Sequence, residues 1–280
     1  MNILITGAQG FMGQHLLEEL NKRGHCTFPG SRNNLHGYLT LDVEQPLRLL
    51  RMFDELELEV AVNLAWHTSG VDYLSSTGNN EALAWNREFF KIVRESSIHK
   101  IVSIGSSAEY AVKKAGTVVS TDMSWLYATS KVLAYKSFVE TFISSDIDFV
   151  WLRLFQVYGP GQSSQRFIPT LSDHIRQKKL LTLTNPHAVR DWIDVRDVAI
   201  SITQIIESAS EREIDIGTSH GLSNFEICNY AREHFDLNWE LGTPLNESDS
   251  MSLVADPNSP LFKYFKPSKN LFDYLNRSLS

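Results

Sequence analysis

The chain has 280 residues, 42% of them hydrophobic and 21% charged, with a net charge of -7 at pH 7, which allows one large domain or one and a half around a sizeable core. The acidic balance, without any dense run of Lys and Arg, argues against a nucleic-acid-binding surface. No apolar run is long enough to span a bilayer, no leader follows Met1, and Cys26 and Cys228 lack metal-type spacing, so both read as reduced, packed thiols of a cytoplasmic protein.

In chain order, residues 2–6 (NILIT) read as a short buried strand and 11–24 as an amphipathic helix closing on Gly24. Strand-like HCTFPG and YLTLD (38–42) follow, then a helical PLRLLRMFDEL and the apolar run VAVNLA (60–65). A helix around 80–96, the strand KIVSIGSS (100–107), a loop, a helix from about Ser124 to Phe142 and the strand DFVWLRLF (148–155) continue the alternation. Beyond it come a loop at 158–164, a helix at 166–178, a strand running into a helix over 191–207, the strand-like EIDIGT, a helix near 223–234 and a tail rich in Pro, Asn and Ser. Alternating strands and helices imply an α/β fold, a Rossmann-type doubly wound parallel sheet with a small C-terminal lobe. The expected division is a nucleotide domain over 1–155 with 188–216 interleaved, and a lobe made of 156–187 and 217–280.

TGAQGFMG sets Gly7, Gly10 and Gly13 three residues apart between the first strand and the first helix, with Phe11 and Met12 opening that helix. Glycine permits close backbone approach, and a helix N-terminus offers free N–H groups to a pyrophosphate. At the end of the second strand, where an acid would accept from the ribose hydroxyls of NAD, the chain carries Ser31 and Arg32. An arginine there accommodates a 2′-phosphate and a serine can donate to it, so the pair favours NADP(H) over NAD. Asp42 is placed either to accept from the adenine amino group or to cap a turn, and Leu64 and Ala65 follow the fourth strand along the cofactor's path.

YATSK puts Tyr127 and Lys131 on one face of a helix. An ammonium beside a phenol stabilises the phenolate and makes the pair an acid-base device near neutral pH. Ser106 and Ser107 close the fifth strand, at the end of a parallel sheet where ligands bind, and a hydroxyl there can hold the same substrate oxygen as Tyr127.

The glycine loop, these serines, YATSK, LRLFQVYGPGQ and RDWIDVRDVA together resemble the extended short-chain dehydrogenase/reductases, the NAD(P)-dependent epimerase/dehydratase family acting on nucleotide sugars. Over residues 1–235 the resemblance implies a Rossmann domain for the dinucleotide and a lobe for a nucleoside-diphospho sugar. It implies a catalytic triad of Ser106, Tyr127 and Lys131, with the two triad residues on the helix also touching cofactor, and substrate contacts from Ser107, Gln156 and Arg190. Gln156 replaces the family's usual Asn. Asp194 and Asp197 are expected to organise the Arg190 segment, and Asn80 to support the catalytic centre. No second diphosphate-binding arginine is evident, and Lys263 and Lys266 read as solvated charges. A homodimer through the helix carrying YATSK is implied by the same analogy. His67 and Trp125 read as packing residues beside the site, and His99, His174 and His220 show no metal-binding arrangement.

Reaction type follows from what is missing. Dehydration needs an Asp-Glu pair directly after the serine, but Ser107 and Ala108 stand there, with Glu109 one step late. Inverting a carbon beside a ketone needs a Cys or similar base near the fifth strand, which neither cysteine supplies. That leaves net reduction of a nucleoside-diphospho 4-keto-6-deoxyhexose or redox-neutral epimerisation at C4, and the Ser31-Arg32 pair, by pointing to NADPH, favours the reduction over an NAD-dependent epimerase. A non-catalytic dinucleotide sensor is the third reading, and its signature would be loss of Tyr127 or Lys131.

Overall fold

In the computed structural model the elements run β1 (Asn2–Thr6), α1 (Phe11–Lys22), β2 (Cys26–Ser31), β3 (Leu39–Thr40), α2 (Pro46–Glu55), β4 (Val60–Asn63), α3 (Gly78–Arg94), β5 (Lys100–Ser106), α4 (Ala108–Lys114), α5 (Leu126–Phe142) and β6 (Asp148–Leu154). They continue as β7 (Gln156–Tyr158), α6 (Phe167–Gln177), β8 (Leu181–Leu183), β9 (Val189–Asp194), α7 (Val195–Ser208), β10 (Glu213–Ile216), β11 (Gly221–Ser223), α8 (Asn224–Phe235), β12 (Trp239–Leu241), α9 (Leu261–Tyr264) and α10 (Leu271–Leu279). The structure describes residues 1–68, 70, 72–114, 126–243 and 252–279. Trp125, singled out above, lies outside them.

The order of the main sheet is β10-β6-β5-β4-β1-β2-β3, a seven-stranded parallel sheet flanked by helices. β1 pairs in parallel with β2 and β4, β2 with β3, and β4 with β5. Because the strand order reverses at β1, the connections leaving β1 and β4 run to opposite sides, the arrangement that places a crevice outside the carboxyl ends of the strands. The apolar runs of β1, β4 and β5 are buried along almost their whole length, as parallel strands covered on both faces require.

The helices bury stripes against this sheet. α1 buries Gly13, Leu16 and Leu20, and α2, entered through Pro46 at its first turn, buries Leu49 and Phe53. α5 is buried around much of its circumference, from Ala128 to Val132 and at Ala134, Phe138 and Phe142. Phe138 packs edge-on against Phe90, Phe142 and Phe149, with ring centroids 5.1 to 5.6 Å away.

The chain divides into two units, Met1–Arg153 with Ala199–Ile214, and Leu154–Val198 with Asp215–Ser280. Residues 188–198, expected with the nucleotide domain, fall in the second unit. There β9 lies between β11 and β7 in a separate three-stranded sheet, so its backbone hydrogen bonds go to partners of that unit. The second unit has its own core, including Tyr158, Leu171, Trp192, Ile227 and Leu275. α8 starts in a reciprocal capping box between Ser223 and Glu226.

Three further expectations are corrected. Cys228 is buried but Cys26 is exposed, because it opens β2 at the sheet's margin rather than lying in the buried end of the strand. YLTLD shrinks to a two-residue edge strand, and the segment after Ser107 forms α4 where a loop was expected. No helix among the described residues is long and apolar enough to cross a membrane.

Phe138→Ala removes a fully buried ring from the aromatic cluster. The expected cost is about 3–5 kcal/mol of unfolding free energy, checked by urea denaturation.

Candidate active site

The glycine loop is shaped by contacts that leave no room for a Cβ. At Gly7, with φ +68°, an added Cβ would sit 2.9 Å from the Ala65 nitrogen and the Leu64 carbonyl carbon. At Gly13 it would sit 2.5 Å from the Gly7 carbonyl oxygen and 2.6 Å from Ala8 backbone atoms. Gly10 is the N-cap of α1, its N–H donating to the Gly7 carbonyl at 2.9 Å, and no side chain caps the helix. Phe11 and Met12 form its first turn, half-buried. A close-approach loop feeding an uncapped helix N-terminus fits a dinucleotide's pyrophosphate.

Behind this loop runs a buried polar network. The Thr6 hydroxyl donates to Asn63 Oδ1 at 2.7 Å and accepts from the Ala65 N–H at 3.1 Å. Asn63 Nδ2 donates to Asn86 Oδ1 at 2.5 Å and to the Ser103 hydroxyl at 3.0 Å. Asn86 in turn donates to the carbonyls of Ala65 and Ala82. The ends of β1 and β4, the Leu64-Ala65 segment and α3 are thereby tied together. The sequence reading missed Asn63 and Asn86, although apolar strand and helix patterns interrupted by asparagine were the available signal.

Ser31 is the last residue of β2 and is buried. Its hydroxyl oxygen accepts from Gln9 Nε2 at 3.0 Å and from the Asn33 N–H at 3.1 Å, which leaves the hydroxyl proton free to donate. Arg32, the next residue, is exposed. The half-buried Asp42 carboxylate accepts from the Glu44 N–H at 3.1 Å and from Gln45 Nε2 at 2.6 Å, closing the turn before α2.

Ser106 ends β5 with its hydroxyl accepting from the Ala108 N–H at 3.2 Å, while its own N–H donates to Glu109 Oε1 at 2.8 Å. Ser107 is half-buried, and its carbonyl accepts from the Tyr110 N–H. Glu109, one step late for a dehydratase, is fully buried and serves another purpose. Its carboxylate accepts from Trp151 Nε1 and forms a 2.8 Å ion pair with Arg153 Nε, and Arg153 also reaches Glu213 at 2.7 Å. Burial pushes the Glu109 carboxyl up and the Arg153 guanidinium pulls it back down.

Tyr127 and Lys131 stand in the first two turns of α5. The Tyr127 N–H donates to the Leu74 carbonyl at 2.9 Å, and its ring meets Tyr73 edge-on at 5.3 Å. Lys131 is buried, with Nζ donating to the Ile104 carbonyl at 2.8 Å and lying 3.8 Å from the centroid of the Trp66 ring. Burial lowers its pKa to about 7, opposed by the Glu109 carboxylate. Such an ammonium sits near its own titration point at physiological pH. Trp66 Nε1 donates to Asn79 Oδ1 at 2.9 Å. Asn79 is buried, whereas Asn80, the residue expected to support the catalytic centre, is exposed. His67 packs its ring where a Cβ at Gly78 would stand, which makes it a packing residue for the start of α3.

In the second unit, Arg190 lies half-buried in β9 and donates to the Val189 carbonyl, and Gln156 opens β7 opposite Trp192. Asp194 receives three hydrogen bonds from Arg196, and Asp197 receives the N–H groups of Ser268 and Lys269 and the Lys269 ammonium. Asp191, which the sequence reading passed over, accepts from Thr218, Ser219 and Ala255 and anchors two loops beside Arg190. Lys263 and Lys266 are exposed.

A family model described as the NAD dependent epimerase/dehydratase family matches residues 3–217. The chain is 25% identical over 235 residues to the CDP-abequose synthase of Salmonella typhimurium, covering 79% of this chain and 76% of that one. It is 28% identical over 234 residues to an uncharacterized UDP-glucose epimerase of Bacillus subtilis, covering 74% and 72%. Its fold matches the UDP-glucose 4-epimerase of Thermus thermophilus, solved with NAD, with a TM-score of 0.81 at 20% identity over 100% of this chain and 98% of that one.

The Lys131 charge carries a stability cost whose pH dependence can be measured. Unfolded, the lysine keeps its proton to about pH 10.5, but folded it releases the proton near 7. The unfolded chain therefore binds more protons between those values, and the native penalty fades as pH rises through that window. Lys131→Met is expected to stabilise the protein by about 1–3 kcal/mol at pH 7. That gain should shrink toward pH 10 in urea denaturation series.

Proposed function

Because the chain belongs to the NAD dependent epimerase/dehydratase family, we propose that it is a nucleotide-sugar oxidoreductase which uses NADPH to reduce a nucleoside-diphospho 4-keto-6-deoxyhexose at C4. The observation that carries this reading is the end of β2, where an exposed Arg32 and a Ser31 hydroxyl with a free proton stand in place of a carboxylate. A guanidinium and a hydroxyl suit a 2′-phosphate, which an acid would repel.

The bound dinucleotide would supply the hydride. The N–H groups at the start of α1 hold its diphosphate, and Gly7, Gly10 and Gly13 let the backbone come close. Tyr127 gives its hydroxyl proton to the substrate carbonyl oxygen as negative charge develops there. Lys131 stabilises the resulting phenolate, and Ser106 donates to the same oxygen. In the first unit Ser107 stands beside Ser106 as a contact for the sugar; within the second unit Gln156 and Arg190 are the groups offered to a sugar nucleotide, Arg190 to its diphosphate.

Glu109 supports the choice of reaction. A dehydratase needs a carboxylate free to remove the C5 proton, whereas this one is buried on Arg153 and Trp151. Cys26 begins β2, at the opposite end of the parallel sheet from Ser106, so it supplies no base there.

The similarity to a UDP-glucose epimerase keeps a second reading in play, an NAD-dependent C4 epimerase that retains its cofactor. The two readings part at Arg32. For the reductase, Arg32→Ala raises the KM for NADPH about 10- to 100-fold and leaves the KM for NADH unchanged. Unchanged activity in that variant, together with NAD released on denaturing the purified protein, would establish the epimerase instead. In either case Tyr127→Phe is expected to lower kcat by a hundred- to ten-thousand-fold, roughly the contribution of a proton donor, with dinucleotide affinity retained in equilibrium titration.

A further inference from the structure

The Lys131 ammonium has three donors, and the described hydrogen bonds use one, to the Ile104 carbonyl. With the side chain 3% exposed, water can satisfy little of the remainder. What faces the charge is the indole of Trp66, 3.8 Å from Nζ to the ring centroid. A Trp face is the strongest aromatic seat for a cation, and its contribution grows as water is excluded.

The ring is itself held in place. Trp66 Nε1 donates to Asn79 Oδ1 at 2.9 Å, and the fully buried Asn79 donates to the carbonyls of Tyr73 at 2.6 Å and Ser76 at 2.9 Å. Those two carbonyls belong to the segment whose Leu74 carbonyl receives the Tyr127 N–H and whose Tyr73 ring meets Tyr127. Trp66 on one side and Tyr73 and Leu74 on the other, tied through Asn79, thus touch Lys131 and Tyr127 respectively. A leucine at position 66 would remain apolar, though smaller, and would offer neither a π face nor a donor for Asn79.

We propose that Trp66 is a positioning residue that seats the Lys131 ammonium on its ring face, with Asn79 setting the plane of the ring. This deepens the reading of Lys131 as the cation that serves Tyr127, and it rests on that reading. Other charged or titratable groups around Lys131 are Glu109 on α4, whose carboxylate favours the charged form, and Arg153 on β6, which pairs with Glu109. Tyr127 lies one turn earlier on α5, and His67 follows Trp66 but packs on Gly78. The Glu109 carboxylate opposes the desolvation that lowers the lysine's pKa to about 7, and a ring face at 3.8 Å acts in the same direction as that carboxylate.

The test is the titration of Lys131 itself, by NMR of the full chain carrying 13C at lysine Cε, with the resonance assigned from a Lys131→Arg variant. Trp66→Leu is expected to lower the Lys131 midpoint by about one pH unit, and Trp66→Phe, which keeps a ring, by about half of that. If Trp66→Leu does not fold, trifluorotryptophan incorporation keeps the shape and weakens the π face, and the midpoint should fall by a similar half unit. A midpoint unmoved by Trp66→Leu or by the fluorinated ring overturns the proposal, as does a fall as large in Trp66→Phe as in Trp66→Leu. The midpoint is read without cofactor or sugar, so failure to turn over any keto-sugar would count against the proposed reaction and leave this result standing.

Discussion

A lysine ammonium taken almost entirely out of water is the constraint around which the first unit is arranged. Burying a charge is costly unless its partners replace the lost solvent. Around Lys131 those partners come from three directions: the Ile104 carbonyl on β5, the Trp66 ring after β4, and the field of Glu109 on α4. Each must then be held in its own right. Glu109 is buried and needs Arg153, which reaches on to Glu213, and Tyr135 also donates to Glu213. The chain of compensation runs from α5 to the sheet edge at β10. Burial and Glu213 push the Tyr135 phenol up to about 12, so it stays a hydrogen-bond donor in that chain.

The same economy explains the glycine loop. A backbone that must approach a phosphate closely cannot also carry side chains at the contact, and here the exclusion is imposed from both sides. Gly7 is pressed against the Leu64-Ala65 backbone and Gly13 against the Gly7-Ala8 backbone. The asparagines beneath the loop meet a related need. Strands β1 and β4 end in buried territory, where leftover amide groups require partners. Thr6, Asn63 and Asn86 provide them while joining β1, β4 and α3 at the crevice.

Glu109 shows how a residue type can be read correctly as acidic and still be misjudged in role. By spacing alone it is a dehydratase base displaced by one position. In three dimensions it accepts the N–H of Ser106, the indole N–H of Trp151 and the Arg153 side chain, so its oxygens are spent on holding the serine turn and on electrostatics.

Much of the fold was legible from the chain alone because it depends on local rules. Short continuous apolar runs mark β1, β4 and β5, a 3.6-residue apolar period marks α1 and α3, and the glycines mark the close-packed turn between β1 and α1. Tyr127 and Lys131 were visible because four residues on a helix bring two side chains to one face. Strand pairing is not local, so nothing in residues 188–198 announced that β9 would join β7 and β11 instead of the main sheet. The partners of buried polar groups are equally nonlocal. That Lys131 rests on Trp66, that Asn79 rather than Asn80 turns inward, and that Glu109 meets Arg153 44 positions away are outcomes of packing. The sequence by itself determined which chemical groups the protein has and which helix and strand carries them. Only the tertiary structure decided which of those groups remain available to a ligand and which are consumed in neutralising one another, because that depends on desolvation, which exists only once the chain is packed.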